Sequence, residues 1–217
     1  MTDDLRRFAA PGLHLHDEAT ANAISRGVHD LARMAFETQG MAAFDQTRKA
    51  AAIHEAGHAV VARTLGEPVQ KVQVWRVHAC GAWRWEGFTT YDSAQEWRTD
   101  ETTSALADAH MAMIFFAGVA SEMLFAGDDY KLGSSLDEVV IFNGLAGNVA
   151  RKSGLIEQEL SFTAKLQHVV FRTLKDNEPV VRAIAQKLTL HKVLRRRQLT
   201  PLLQPVATNP LKDITEL

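Results

Sequence analysis

"AAIHEAGHAVVARTLGEP", residues 51–68, decides how the rest of the chain is read. It sets His54 and His58 four apart, with Glu55 between them. In an α-helix, positions i and i+4 share a face, with Cβ atoms about 6 Å apart. Two imidazoles so placed can converge on one divalent metal ion at roughly 2.0–2.1 Å each. Glu55, one position on, projects beside that pair. A carboxylate there can take a proton from water at the metal without ligating the metal itself. Gly57 costs about 1 kcal/mol in a helix interior relative to Ala, which predicts that something passes close to that face. The alternative is an ordinary alanine-rich helix with two incidental histidines. An HExxH string arises by chance in only about 2% of chains of this composition, so the metal reading leads.

Outward from this segment, helix 46–65 ends at Gly66 and Pro68, the usual C-terminal punctuation. Before it lie an irregular leader holding Pro11 and Gly12, and a helix from His16 to about Thr38 with Ile24, Val28, Leu31, Met34 and Ala35 at helical spacing. After it, "VQKVQVWRVHA", a turn at Gly81 and "WRWEGFTTY" alternate and are rich in Val, Trp, Phe and Thr, which predicts a hairpin or small sheet. Beyond Thr102 the chain reads as helix again, over 102–126, 137–152, 159–176, 178–191 and a short segment near 200. "GDDYKLGSS", 127–135, is the connecting loop, and Asn177 is the expected cap of the helix carrying Pro179. The fold class is therefore mainly α with a small β hairpin or sheet (α+β). The expected divisions are an N-terminal helical extension (1–45), a domain built around the HEAGH helix (46–204) and a tail (205–217).

The chain's 217 residues suffice for a sizeable core, and 46% hydrophobic content is ordinary for a globular protein. The longest apolar stretches, near 111–120 and 139–150, fall short of the roughly 18–20 residues a membrane span needs, so no span is expected. No signal peptide is read in the N-terminus. A net charge of −2 gives no reason to expect nucleic acid. The single Cys80 excludes an internal disulfide and suits a cytoplasmic location.

Two histidines do not complete a site; a catalytic zinc takes a third protein ligand and keeps an open position. Glu122 lies in a helix whose Gly118, Ala120 and Ser121 would permit close packing on the HEAGH helix. Asp137 follows "GSS" and starts a helix, where an Asp is as often a simple cap. Chemistry alone does not choose between them. Trp83 and Trp85 are read as core cover, "HMAMIFF" (110–116) as buried helix, and "RRR" (195–197) as a basic run following a helix and favouring its C-terminal dipole. The remaining histidines have no ligand spacing; "HLHDE" (14–18) is read as a solvated leader.

Together these pieces resemble the peptidase domain of FtsH-like ATP-dependent zinc metalloproteases over about 46–204. "AAIHEAGHAVVARTLGEPVQKVQV" resembles that family's metal helix and first strand, "EGFTTY" its Gly-aromatic-Thr strand, "FFAGVASEMLFAG" its acid-bearing helix, and "GSSLDEV" the loop carrying its third ligand. The resemblance implies His54, His58 and Asp137 as zinc ligands and Glu55 as general base. Glu122 is then a candidate for orienting a ligand imidazole. Gly87, Phe88 and Thr89 form a strand that could bind substrate backbone. The loop from Gly127 to Asp137 is one residue shorter than the family's usual version, and Val119 stands where a basic residue is common. Neither the family's AAA ATPase module nor its membrane helices are in the sequence. The expectation is thus a soluble, stand-alone zinc metalloendopeptidase acting on unfolded or flexible polypeptide. A separate ATPase or further copies of the chain are the other expected partners. The rival is a proteolytically inactive, metal-stabilised adaptor docking to a separate ATPase.

Overall fold

The computed structural model describes residues 18–79, 82–92 and 104–212. Its centre is α2 (Arg48–Thr64), capped where the Thr47 hydroxyl accepts the Ala50 N–H at 3.1 Å and closed by Gly66 at φ 89°. Every residue from Ala50 to Ala62 is buried. A helix buried on all sides must let neighbours approach its backbone, and alanine and glycine at 50–52, 56, 57, 59 and 62 allow that. The closest neighbour is α3 (Ala105–Phe125). A Cβ on Gly57 would fall 2.5 Å from both the Ala117 carbonyl and Ser121 Oγ, and that hydroxyl donates to the Ile53 carbonyl at 2.9 Å. The close pass expected at Gly57 is therefore α3 itself.

α3 is long and apolar enough, by length and composition, to cross a membrane, where no span was expected. Here 78% of its apolar window is buried in the protein, against α2, α4 (Leu136–Lys152) and α5 (Glu159–Asp176). Phe116 stacks on Phe142 of α4 with ring centroids 4.8 Å apart and meets Phe171 of α5 edge-on at 5.4 Å. "HMAMIFF" is thus the buried helix expected, with Met111, Met113, Ile114 and Phe116 in the core. α1 (Glu18–Gln39) packs on α4, where Gly27 lies against Val140. A 3₁₀ turn, Gly40–Phe44, then leads into α2. Its Ala43 carbonyl accepts the Gly133 N–H at 2.9 Å, and a Cβ on Gly133 would collide with the Phe44 ring.

The sheet is antiparallel, in the order β2 (Ala82–Tyr91), β1 (Val69–Ala79), β3 (Val193–Arg195). Val72 and Val74 face the core, and Val72 pairs with the fully buried Leu194. The chain is therefore mainly helical with a small antiparallel sheet, an α+β arrangement.

Several local expectations are corrected. β3 is a third strand beyond the hairpin, followed directly by α7 (Arg196–Leu203), so Arg196 and Arg197 begin a helix rather than follow one. Asn177 stands at the N-cap of α6 (Glu178–His191), but its side-chain amide donates to the Thr173 carbonyl of the preceding helix at 2.9 Å. Trp83 is 54% exposed rather than core; Arg76 and His78 lie against it instead, 4.8 and 5.1 Å from the ring centroid. The leader with His14 and His16, and Cys80 and Gly81, lie outside the described residues.

Candidate metal centre

His54 and His58 share the face of α2 that meets α3, and their burial there requires Gly118. A Cβ on Gly118 would overlap the ring atoms of His54 and press on Nε2 of His58. Each imidazole is oriented from behind. His54 Nδ1 lies 2.7 Å from Glu122 Oε1, and His58 Nδ1 lies 2.7 Å from the Ile114 carbonyl oxygen. A carbonyl and a carboxylate accept hydrogen bonds, so both Nδ1 atoms carry the proton and both Nε2 atoms present lone pairs. The two Nε2 atoms lie 2.9 Å apart.

A carboxylate completes the cluster. Glu138 Oε1 lies 3.1 Å from both Nε2 atoms. Its Oε2 is buried 3.1 Å from His54 Nε2 and accepts no hydrogen bond among the described residues. Three electron-pair donors facing one another in a buried pocket repel unless a cation lies among them. A proton can meet the need in the bare protein. Burial alone would depress both imidazoles, but the Glu138 carboxylate outweighs it and holds both above the usual histidine value, His54 further above with help from Glu122. Burial would raise Glu138, but the two imidazoles pull it down to about 2. A divalent ion meets the same need with the imidazoles neutral, and two imidazoles with a carboxylate are a donor set that fits one.

Asp137, the ligand implied by the resemblance, makes no hydrogen bond to either imidazole among the described contacts; the next residue, Glu138, does. Adjacent helical positions point about 100° apart, so a change of one residue in the approach brings a different side chain to the ligand position. Asp137 lies nearby, pushed up to about 6 by burial and by Glu138.

Glu122, fully buried on α3, takes the orienting position, and its donors were not read from the sequence. Gln46 Nε2 donates to its Oε1 at 3.0 Å, Ser134 Oγ to its Oε2 at 3.2 Å, and Ser135 Oγ lies 3.4 Å from Oε1 and 3.2 Å from His54 Nδ1. The "GSS" string marked this loop, though not the target of its hydroxyls.

Glu55 faces the sheet. The Thr89 hydroxyl donates to its Oε2 at 2.7 Å, and a Cβ on Gly87 would overlap its side chain. Gly87 and Thr89 therefore do line the site, from the wall beside Glu55, while Phe88 turns outward and is exposed. Burial raises the Glu55 carboxyl against the pull of both histidines. The ligand atoms of His54, Glu55 and His58 lie within 4.8 Å of one another, a buried cluster able to hold a metal ion. No protein-family model matches the chain, and no curated protein matches it.

Proposed function

We propose that the chain is a zinc-dependent metallopeptidase, similar to the peptidase domain of FtsH-like proteases, that hydrolyses peptide bonds in unfolded or flexible polypeptides. The observation that carries this reading is the convergence of the His54 and His58 Nε2 lone pairs and the Glu138 carboxylate, with a second carboxylate, Glu55, set beside them rather than behind them. A site built only to brace the fold has no use for Glu55, whose burial costs free energy. Two imidazoles with one carboxylate form a donor set that fits zinc and leaves a position open for water. Once bound, it supplies Lewis-acid polarisation of the scissile carbonyl and lowers the pKa of a water molecule to about 7.

The chain's own residues do the rest. Glu55 receives the proton from the attacking water and passes it to the leaving amine as the C–N bond breaks; its upward-shifted pKa suits both transfers. Thr89 holds Oε2 in place. β2 is an edge strand, so its backbone can add a substrate strand next to Glu55 without selecting side chains.

The test is zinc stoichiometry of freshly purified protein, then casein and unfolded-peptide cleavage by the wild type and by Glu55→Gln. The reading requires about one zinc per chain and cleavage lost on the substitution with zinc retained. Zinc without Glu55-dependent cleavage would leave a metal-stabilised adaptor, and protein without zinc would remove both readings.

A further inference from the structure

The edge of β2 is not open along its length. Val74 donates its N–H to the Lys192 carbonyl at 2.8 Å, on the β3 side. In an antiparallel pair, its partner Gly87 must then turn its own N–H and C=O away from β1. The register runs unbroken from Trp85↔Arg76 to Thr89↔Val72, so Trp85, Gly87 and Thr89 all face outward. No described residue bonds to the outward groups of Gly87 or Thr89, the two positions against Glu55. At Trp85, one strand repeat further along, the N–H is already taken by the Gln46 carbonyl at 3.1 Å.

Gln46 is held from several directions. It is 7% exposed, its amide is anchored on Glu122 at 3.0 Å, and its own N–H donates to the Phe44 carbonyl at 3.1 Å. Ahead of it, the 3₁₀ turn is pinned through Ala43 to Gly133. This stretch occupies the lane that a strand added to β2 would follow past Gly87.

Building on the peptidase reading, we propose that Gln46 is a fixed stop that makes the substrate cleft one-sided. Antiparallel pairing is the more stable ladder, and a chain antiparallel to β2 enters from the Tyr91 end with its C-terminal side toward Trp85. Backbone pairing thus continues on the N-terminal side of the cut bond and ends about two residues past it, one strand repeat of roughly 6.7 Å. The preferred substrates are flexible segments cut close to a C-terminus, or ones that bend away after that point.

The experiment uses the zinc-loaded full chain and one cleavable peptide, lengthened a residue at a time on either side, with the cut bond located by mass spectrometry. Extension on the N-terminal side should raise kcat/KM by about fivefold for each added pair of backbone hydrogen bonds. Extension beyond the second residue on the C-terminal side should leave it within about twofold, since no pairing is added there. Equal gains on both sides, or gains confined to the C-terminal side, overturn the proposal. In parallel, the same peptides are titrated onto zinc-loaded Glu55→Gln protein by fluorescence anisotropy. One-sided affinity without hydrolysis by the wild type upholds the stop while counting against catalysis; failure of any peptide to bind or be cut removes both.

Discussion

The centre is assembled from two unlike regions. On the seam between α2 and α3, the two histidines sit mid-helix, and the packing is so close that Gly57, against the Ala117 carbonyl and Ser121, and Gly118, against the imidazole rings, have no room for a methyl group. At the start of α4, the third carboxylate arrives from a Gly-Ser loop and remains 17% exposed. The seam is set by helix periodicity and close packing, which leave one geometry available. The start of α4 is set by how many residues the loop spends before the helix begins. The first region leaves little room for change, whereas the second offers two neighbouring carboxylates, Asp137 and Glu138, of which Glu138 faces the imidazoles.

The largest effect should come from filling the seam. Gly118→Val must displace both imidazoles or part α2 from α3, and overpacking a tight core costs about 1–3 kcal/mol even where it can relax. Metal binding should vanish and Tm fall together; near-native zinc content in this variant would mean that the seam is looser than its geometry implies. The start of α4 is probed by a pair of variants. Glu138→Gln keeps the shape but weakens the donor and should lower zinc affinity by about 100-fold or more, while Asp137→Asn should change it by less than about threefold. Metal titration against a chelator separates the two. The reverse order would restore the ligand that the family resemblance implied and break the contrast between the regions.

That contrast also explains what the sequence made legible. Helix ends were readable to within two or three residues because stops and starts such as Gly66 and Pro179 are local chemistry. The shared face of His54 and His58, with Glu55 beside it, followed from helix periodicity, and the small residues around Gly118 foretold close packing. The place of Glu138 beside the two imidazoles was not read from the sequence, because Asp137 and Glu138 are chemically alike and only the three-dimensional approach of α4 tells which one faces them. β3 was missed because three residues carry no alternation to detect; its evidence is the pairing with β1, more than a hundred residues away in sequence. Gln46, Ser134 and Ser135 are ordinary loop residues until the fold brings them to Glu122.

A smaller effect is expected one layer behind the seam. Glu122→Gln retains the volume, yet it replaces an acceptor-only carboxylate with an amide whose NH₂ group must face one of the donors now bonded to it. Outer partners of metal-ligating histidines are worth about 10–100-fold in affinity, and zinc binding should weaken by that factor with His54 and His58 intact. Isothermal titration with the fold monitored by circular dichroism tests this; unchanged affinity would mean that packing against Gly118, rather than Glu122, orients His54.

The smallest effect discriminates most finely between the regions. Ser135 occupies the N-cap position of α4, where a hydroxyl ordinarily accepts a backbone N–H, but it makes no such bond. Its Oγ instead lies between His54 Nδ1 and Glu122 Oε1, at 3.2 and 3.4 Å. If the hydroxyl served the helix, Ser135→Ala would cost about 1 kcal/mol of stability whether or not metal is present. Serving the centre, it should leave the metal-free protein's denaturant midpoint nearly unchanged and weaken zinc binding about two- to fivefold, the loss of one polar contact behind a ligand. Equilibrium unfolding with and without saturating zinc distinguishes the two. A loss equal in both conditions would assign Ser135 to the start of α4, and one confined to the zinc-bound protein would join it to the α2–α3 seam, through which the loop and the histidines then act as one unit.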